Sequence, residues 1–270
     1  MKKKTKIFGA AALIIIIAAV FVMIGGTGAS EIQIAGSTSV QPVAEKLVET
    51  YKQTHPDAKI NVQGGGSSVG IKSVQDGTAD IGTSSKELKD NEKQGLTEYT
   101  LGQDGIVIAV NTANGVSDLT AEQLKGIYSG NITNWNQVGG SDGQINVITR
   151  EDGSGTLDAF KSIVMNGSDI KGDAVVQSST EAVKQSVQQD SNAIGFVSYA
   201  HMTSDVKAIN VNGVAPSNST IADGTYELQR PFIFLVKGTP DGDLKTFIDW
   251  VNGPEGQKII ADEKIVKSTV

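Results

Sequence analysis

The sequence predicts an α/β protein of two lobes with mostly parallel sheets, preceded by a separate N-terminal hydrophobic segment. Three observations predict it. Apolar runs of strand length alternate with runs of helical spacing along most of the chain, the order that βαβ units impose. Several strand-to-helix passages are rich in Gly, Ser and Thr. Beyond the first thirty of its 270 residues the chain is longer than one typical domain and long enough to bury roughly 70% of its unfolded surface. It has no Pro-rich linker, no internal repeat and no heptad pattern, so two lobes joined by several crossovers fit better than two contiguous domains.

The elements follow in order. Glu31–Ala35 alternates briefly as a strand. Val40, Val43, Ala44, Leu47, Val48 and Tyr51 then repeat at helical spacing, with Pro42 tolerated in the first turn. Lys59–Gln63 is a second strand, followed by a Gly/Ser loop and a helix through Ile71 and Val74, and Ala79–Gly82 is a third strand. Gly105–Asn111 is a buried strand, and Thr120 caps a helix containing Leu124, Ile127 and Tyr128. Gln144–Thr149 is a strand that runs into Arg150, and the helix after it carries Leu157, Phe160, Ile163 and Val164 on one face. A strand at Ala174–Gln177, a helix from Thr180 and a strand at Ala193–Tyr199 continue the alternation. Near the end come the strand Pro231–Val236 and the helix Asp243–Val251.

Composition excludes several classes of function. With no cysteine there is no disulfide, thiolate nucleophile, iron–sulfur cluster or Cys-type zinc site. His55 and His201 are the two histidines, too few for most His-based metal or catalytic centres; neither metal nor cofactor is expected. A net charge of −7 argues against nucleic acid as a partner, because phosphate backbones are neutralised by Lys and Arg. The charge is also uneven. Lys2, Lys3, Lys4 and Lys6 give residues 1–30 a charge of +4, leaving −11 on the remainder. Arg150 and Arg230 are the only arginines.

The first thirty residues read as an address. A basic head precedes an uncharged apolar run from Ile7 to Ile24, the pattern of export, with the positive end held in the cytoplasm. Eighteen residues of helix span about 27 Å, close to the hydrocarbon thickness. The run therefore fits an uncleaved membrane anchor, and the small residues Thr27-Gly28-Ala29 equally fit a cleaved signal peptide. Either way the rest of the chain is expected to be extracytoplasmic, in the periplasm or at the cell surface.

The chemistry concentrates in three passages that each follow a strand and open a helix. These are Gly36-Ser37-Thr38-Ser39, Gly64-Gly65-Gly66-Ser67-Ser68, and Arg150-Glu151-Asp152-Gly153-Ser154-Gly155-Thr156. Gly82-Thr83-Ser84-Ser85 has similar composition. Glycine lets the backbone turn and approach a ligand, hydroxyls donate, and the first helical turn offers unpaired N–H groups with partial positive charge. Together they can bind an anion without lysine. One such loop alone is usually no more than an N-cap. Arg150 can fork onto an oxyanion or pair with Glu151, Asp152 or Asp158, and Asp152 is expected to orient Arg150 or cap the next helix.

The passages GSTSVQPVAEKL, GGGSSVGIKSV, ADIGTSSKEL, REDGSGT and LQRPFIFLV occur in the order and spacing of the periplasmic phosphate-binding proteins of ABC-type importers, which the chain closely resembles from Ile32 to its C-terminal helices. The RxDGSGT passage is the specific one. The resemblance implies a type II periplasmic-binding-protein fold, two α/β lobes around a central ligand cleft. It implies a monomer that binds dehydrated inorganic phosphate and delivers it to membrane permease subunits, with no catalysis. On the matching positions it puts Thr38 and Ser39, Ser67 with Ser68 close by, and Arg150, Ser154, Gly155 and Thr156 around the phosphate. Many family members carry an aspartate where this chain has Ser85; a serine can also accept a hydrogen bond from phosphate, so Ser85 joins the set and selectivity over sulfate or arsenate becomes the open question. The crossovers are expected near Val110–Asn111 and Asn210–Val211. Lobe I then takes residues 31–110 and 212–270 and lobe II takes 111–211, and Arg230 is expected to brace the lobe interface.

Other readings compete. Gly66-Ser67-Ser68-Val69-Gly70 matches a G-x-S-x-G nucleophile elbow, with His201 as a base downstream, but that serine hydrolase would leave REDGSGT unexplained. Gly65–Gly70 imitates a P-loop, except that Ile71 intervenes before Lys72. A binding protein for another tetrahedral oxyanion, or an adhesion or signalling module on the same scaffold, is also compatible with the fold.

Overall fold

The computed structural model describes residues 31–269, so the expected signal or anchor segment lies outside the described residues. None of the described helices is long and apolar enough to cross a membrane.

The first part of the chain runs β1 (Glu31–Gly36), α1 (Gln41–Thr54), β2 (Lys59–Gly64), α2 (Ser67–Asp76), β3 (Ile81–Ser84) and β4 (Leu96–Asn111). The middle continues through β5 (Asp118–Leu119), α3 (Ala121–Ser129), β6 (Asn146–Arg150), α4 (Gly155–Phe160), β7 (Val175–Gln177), α5 (Thr180–Gln189) and β8 (Ala193–Ser198). After β9 (Val206–Ala208), β10 (Asn210–Val211) and α6 (Asn218–Ala222), the chain returns through β11 (Gln229–Lys237) and closes with α7 (Gly242–Asn252) and α8 (Pro254–Asp262). Helix α3 shows how local the starts are: the Thr120 hydroxyl accepts from the Gln123 N–H while the Gln123 side chain reaches back to the Thr120 N–H.

The main sheet has the order β2-β1-β3-β11-β4-β8-β6-β7, with β9 paired to β4. It is parallel where β1 meets β2 and β3 and where β6 meets β7 and β8. It is antiparallel wherever β4 or β11 takes part in it. The sheet is therefore mixed rather than mostly parallel. The cause is topological: β4 carries the chain out of one lobe and β11 brings it back alongside, so the two run in opposite directions.

Two hydrophobic cores define the lobes. The first gathers Ile34, Leu47, Tyr51, Leu101, Phe232 and Phe247 among others. The second gathers Ile106, Tyr128, Phe160, Phe196, Tyr226 and Leu228 among others, with Phe160 stacked on Phe196 at 4.4 Å between ring centroids. The change from one core to the other falls between Leu101 and Ile106 on the way out and between Leu228 and Phe232 on the way back. Ile106, Ile108 and Val110, and likewise Ile221, Tyr226 and Leu228, thus pack in the second core, although the sequence division assigns them to lobe I. The reason is the length of β4. Its first half, Leu96–Asp104 (LTEYTLGQD), has neither a regular alternation nor a continuous apolar run and does not stand out as a strand, so the buried run from Gly105 looks like a whole strand when it is only the second half.

Two smaller differences have local causes. Strand β3 begins at Ile81, so Thr83 and Ser84 lie inside it. Helix α4 ends at Phe160 and continues as a π-type turn over Lys161–Met165; Val164 and Met165 stay buried there while Ile163 is exposed, contrary to the expected apolar face.

The crossover is pinned by charge. Arg230 and Asp104 are paired in register between β11 and β4, and Arg230 Nη2 donates to Asp104 Oδ2 at 3.1 Å. The other Asp104 oxygen accepts from the Ser198 hydroxyl at 2.7 Å and the Ala200 N–H at 3.3 Å. Burial pushes the Asp104 carboxyl up, and it pulls Arg230 down to about 10 against the opposing charge of Asp104. Burying these charges is costly, and what it secures is the register at the point where the chain changes lobes. Beside it, His201 donates through Nε2 to the Ser39 carbonyl at 3.2 Å, and burial lowers its pKa to about 4.

Two outcomes follow for stability. Asp104→Ala strands the Arg230 charge and should cost about 3–5 kcal/mol in urea denaturation. His201 is neutral when folded and titrates near 6.5 when unfolded, so the unfolded chain takes up the proton first. Stability that is complete above pH 6.5 is therefore lost as pH falls towards 4, by about 3 kcal/mol at most. His201→Gln should flatten that part of a pH–stability curve, and an unchanged slope would refute this assignment.

Candidate functional site

Three first-lobe elements bring their hydroxyls to one point. At the end of β1 a Cβ on Gly36 would lie 2.4 Å from the Thr83 carbonyl, and one on Gly70 would lie 2.6 Å from the same oxygen. Only glycines allow β1, β3 and α2 to approach this closely. The approach places Ser37, in the turn between β1 and α1, against Ser85, just after β3: their hydroxyls hydrogen-bond at 2.8 Å. The Ser37 hydroxyl also accepts from the N–H groups of Ser39 and Val40. Ser67, the first residue of α2, accepts the Ser85 N–H at 3.0 Å, and its oxygen lies 3.3 Å from the Ser85 hydroxyl.

The second lobe supplies the cation. Arg150 is the last residue of β6 and is buried. Glu151 holds it in a fork, Oε2 on Nε at 2.9 Å and Oε1 on Nη2 at 2.8 Å, the bidentate geometry that lysine cannot make. The Gln177 carbonyl also accepts from Nε at 3.2 Å. Asp152 performs neither expected task. It is exposed, Glu151 orients the arginine, and Ser154 caps α4 by accepting the Leu157 N–H at 3.3 Å. Asp158 turns away to Lys86.

The two sets meet. Arg150 Nη2 reaches Thr38 Oγ1 in the other lobe at 3.2 Å. Ser39 Oγ lies 3.0 Å from Thr156 Oγ1 and 2.7 Å from Thr180 Oγ1. Thr180 binds Arg150 Nη1 at 3.2 Å through its hydroxyl and donates its N–H to Thr38 at 3.3 Å. Gly155 presses on the first lobe: a Cβ there would be 2.2 Å from Ser67 Oγ and 2.8 Å from Ser85 Oγ.

Of the sequence-predicted residues, Thr38, Ser39, Ser67, Ser85, Arg150, Ser154, Gly155 and Thr156 gather at this junction. Ser68 does not join the enclosed cluster. It is exposed, and its N–H donates to the Gly153 carbonyl across the lobes at 3.1 Å. Ser37 and Thr180 are the residues that sequence reasoning missed. Gln177-Ser178-Ser179-Thr180 is one more strand end that opens a helix through hydroxyls, with Ser179 as its cap, and that pattern was the available signal.

Four helix starts, several hydroxyls and one guanidinium therefore converge where the lobes touch. Hydroxyls donate or accept as required, helix N-termini favour negative charge, and Arg150 adds a directional fork. The arrangement suits a small oxyanion rather than a nucleophilic reaction. His201 spends its hydrogen bond on the Ser39 carbonyl rather than on a serine hydroxyl, so the elbow serine has no base engaged with it.

Residues 23–255 match the family model described as a PBP superfamily domain. The phosphate-binding protein PstS of Bacillus subtilis strain 168 is 31% identical over 241 residues, covering 87% of this chain and 80% of that one. Its namesake in Staphylococcus aureus strain MRSA252 is 34% identical over 275 residues, covering 90% and 84%. Among solved structures, a Clostridium perfringens protein assigned as a phosphate ABC transporter substrate-binding protein, with bound phosphate, superposes with a TM-score of 0.85 at 39% identity over 89% of this chain and all of that one. An ABC-type phosphate transport receptor from Vibrio cholerae gives 0.73 at 40% identity over 87% and 99%. With these matches spanning most of its length, the chain belongs to the PBP superfamily and, within it, to the PstS family of phosphate-binding proteins.

Proposed function

We propose that this protein binds inorganic phosphate outside the cytoplasm and hands it to the permease subunits of an ABC importer, as a monomer and without catalysing a reaction. The observation that carries the reading is the junction of Thr38, Ser39, Ser67 and Ser85 with Arg150, Thr156 and Thr180, together with Ser154 and Gly155 at the start of α4. Ser68 serves the lobe contact beside it. The core packing supports a lobe I of residues 31–103 and 230–269 and a lobe II of 106–228, hinged at the Arg230–Asp104 pair. These hydroxyls and the guanidinium face solvent when the lobes part. Phosphate bridges them and stabilises the closed form, since only a ligand with different affinity for the two forms shifts their balance.

Charge balance is handled locally. Glu151 already neutralises much of the Arg150 charge, so the anion depends heavily on helix N-termini and hydroxyl donors. Where a carboxylate would accept a proton from phosphate, the chain offers Ser85, whose oxygen can accept that proton or donate to a fully ionised oxygen. Selection against sulfate therefore rests on accepting hydroxyls rather than on carboxylate repulsion.

Isothermal titration of ligand-stripped protein with phosphate, sulfate, arsenate and molybdate tests this. Phosphate should bind tightest; an absence of phosphate binding would sink the reading, and equal sulfate affinity would sink the selectivity. Arg150→Ala should weaken phosphate binding tens- to thousands-fold, matching the loss of about 2–5 kcal/mol typical of a desolvated charged contact. Gly155→Ala removes no hydrogen-bonding group, yet its methyl would enter the space of the Ser67 and Ser85 hydroxyls. It should reduce affinity at least about tenfold by holding the lobes apart, and unchanged affinity would show that this contact is not part of closure.

A further inference from the structure

Beside the anion junction, Lys86 Nζ donates to Asp158 Oδ2 at 2.7 Å and to Glu92 Oε1 at 3.1 Å. Lys86 directly follows Ser85 at the end of β3 in the first lobe. Asp158 lies in α4, two residues beyond Thr156, in the second. Among the described residues, every other ion pair joins groups of one lobe, except the Arg230–Asp104 pair at the crossover itself. The Lys86 side chain is 7% exposed and that of Asp158 40%.

The lysine is held in place from its own lobe. Ser84 Oγ accepts the Lys86 N–H at 3.3 Å and donates to the Lys86 carbonyl at 3.0 Å. Glu92 is itself fixed by accepting the Lys89 N–H at 2.9 Å. Burial pulls the Lys86 amine down, but Asp158 and Glu92 outweigh it and leave its pKa above the ordinary value.

We propose that Lys86 and Asp158 are positioning residues for anion capture: their ion pair ties the Ser85 loop to the start of α4 in the closed form alone, and so sets affinity and residence time. The proposal rests on the phosphate reading. A contact present in one form and absent in the other shifts the balance by its full worth. Glu92 gives the pair its asymmetry. It stays with Lys86 when the lobes separate, so opening does not leave an unpaired buried ammonium, and the catch releases without a prohibitive barrier. Asp158, half-exposed, simply returns to water.

The test uses the full chain, stripped of ligand, with inorganic phosphate as the probe. Lys86→Met and Asp158→Asn should each raise Kd about 3- to 30-fold, between the effects of exposed and desolvated pairs, chiefly through faster release in stopped flow. The double variant should be no weaker than the weaker single one, because the two residues share one interaction. Lys86→Arg should stay near the parent. Lys93→Met, which breaks a first-lobe pair with Glu98, should also leave Kd within about twofold of the parent, as expected of an exposed pair. Small-angle scattering at sub-saturating phosphate should show a larger radius of gyration for Asp158→Asn than for the parent. Unchanged Kd in both single variants, or losses that multiply in the double variant, would overturn the proposal. If the parent chain binds no phosphate, the functional reading fails instead. The pair is then judged by scattering alone: a more open Asp158→Asn supports it and an identical profile overturns it.

Discussion

A guanidinium taken out of water has to be neutralised and still left able to act, and the site depends on how Arg150 meets that demand. Glu151 occupies one edge of the fork through Nε and Nη2. Nη1 and the second N–H of Nη2 remain directed at hydroxyls, Nη1 at Thr180 in its own lobe and Nη2 at Thr38 in the opposite one. Had both edges been closed by carboxylates, the residue would be a structural ion pair with nothing to offer an anion. Had neither been closed, burial at this depth would be prohibitive. The half-neutralised fork explains why the neighbours are hydroxyls and helix starts: they add favourable potential without adding a charge that needs its own partner.

The chain has two arginines, and the second solves a different problem. Arg230 and Asp104 face each other on the strands that pass between the lobes, where a slip in register would displace one lobe relative to the other. A buried ion pair is a poor source of stability but a good way to fix one alignment. The pair holds the two crossover strands together. The lobes are thus joined at the crossover and touch again at the cleft, where Ser68 meets Gly153, Ser39 meets Thr180, and Lys86 meets Asp158.

Much of this was legible in the sequence, and the exceptions are instructive. The first-lobe strands and α1 could be read because their side chains alternate at strand or helical period. The hydroxyl-rich strand ends stood out because glycine and serine clustered where apolar runs stopped. Strand β4 was only half visible, since Leu96–Asp104 is partly exposed and lacks a continuous apolar run, and that truncation moved the expected lobe boundary. Thr180 went unnoticed as a site residue because its helix start carries no glycine run and no cation to mark it. The orienting role expected of Asp152, the motif's second acid, falls to the adjacent Glu151, which has the reach to fork back onto Arg150.

The sequence by itself determined the fold class, the family and the type of chemistry: an acidic chain without cysteine, whose anion site must be assembled from loops, hydroxyls and a single arginine. Those properties are local, written in period, composition and short motifs. The tertiary structure alone decided which hydroxyls face one another across the lobes, which carboxylate holds Arg150, and where the chain changes lobes. The first and last depend on residues tens to more than a hundred positions apart, such as Thr38 with Arg150 and Asp104 with Arg230, and on the glycine-permitted approach of β1, β3 and α2; the choice of Glu151 depends on which way the chain leaves β6. No local pattern encodes a distance between segments that meet only after both lobes have folded.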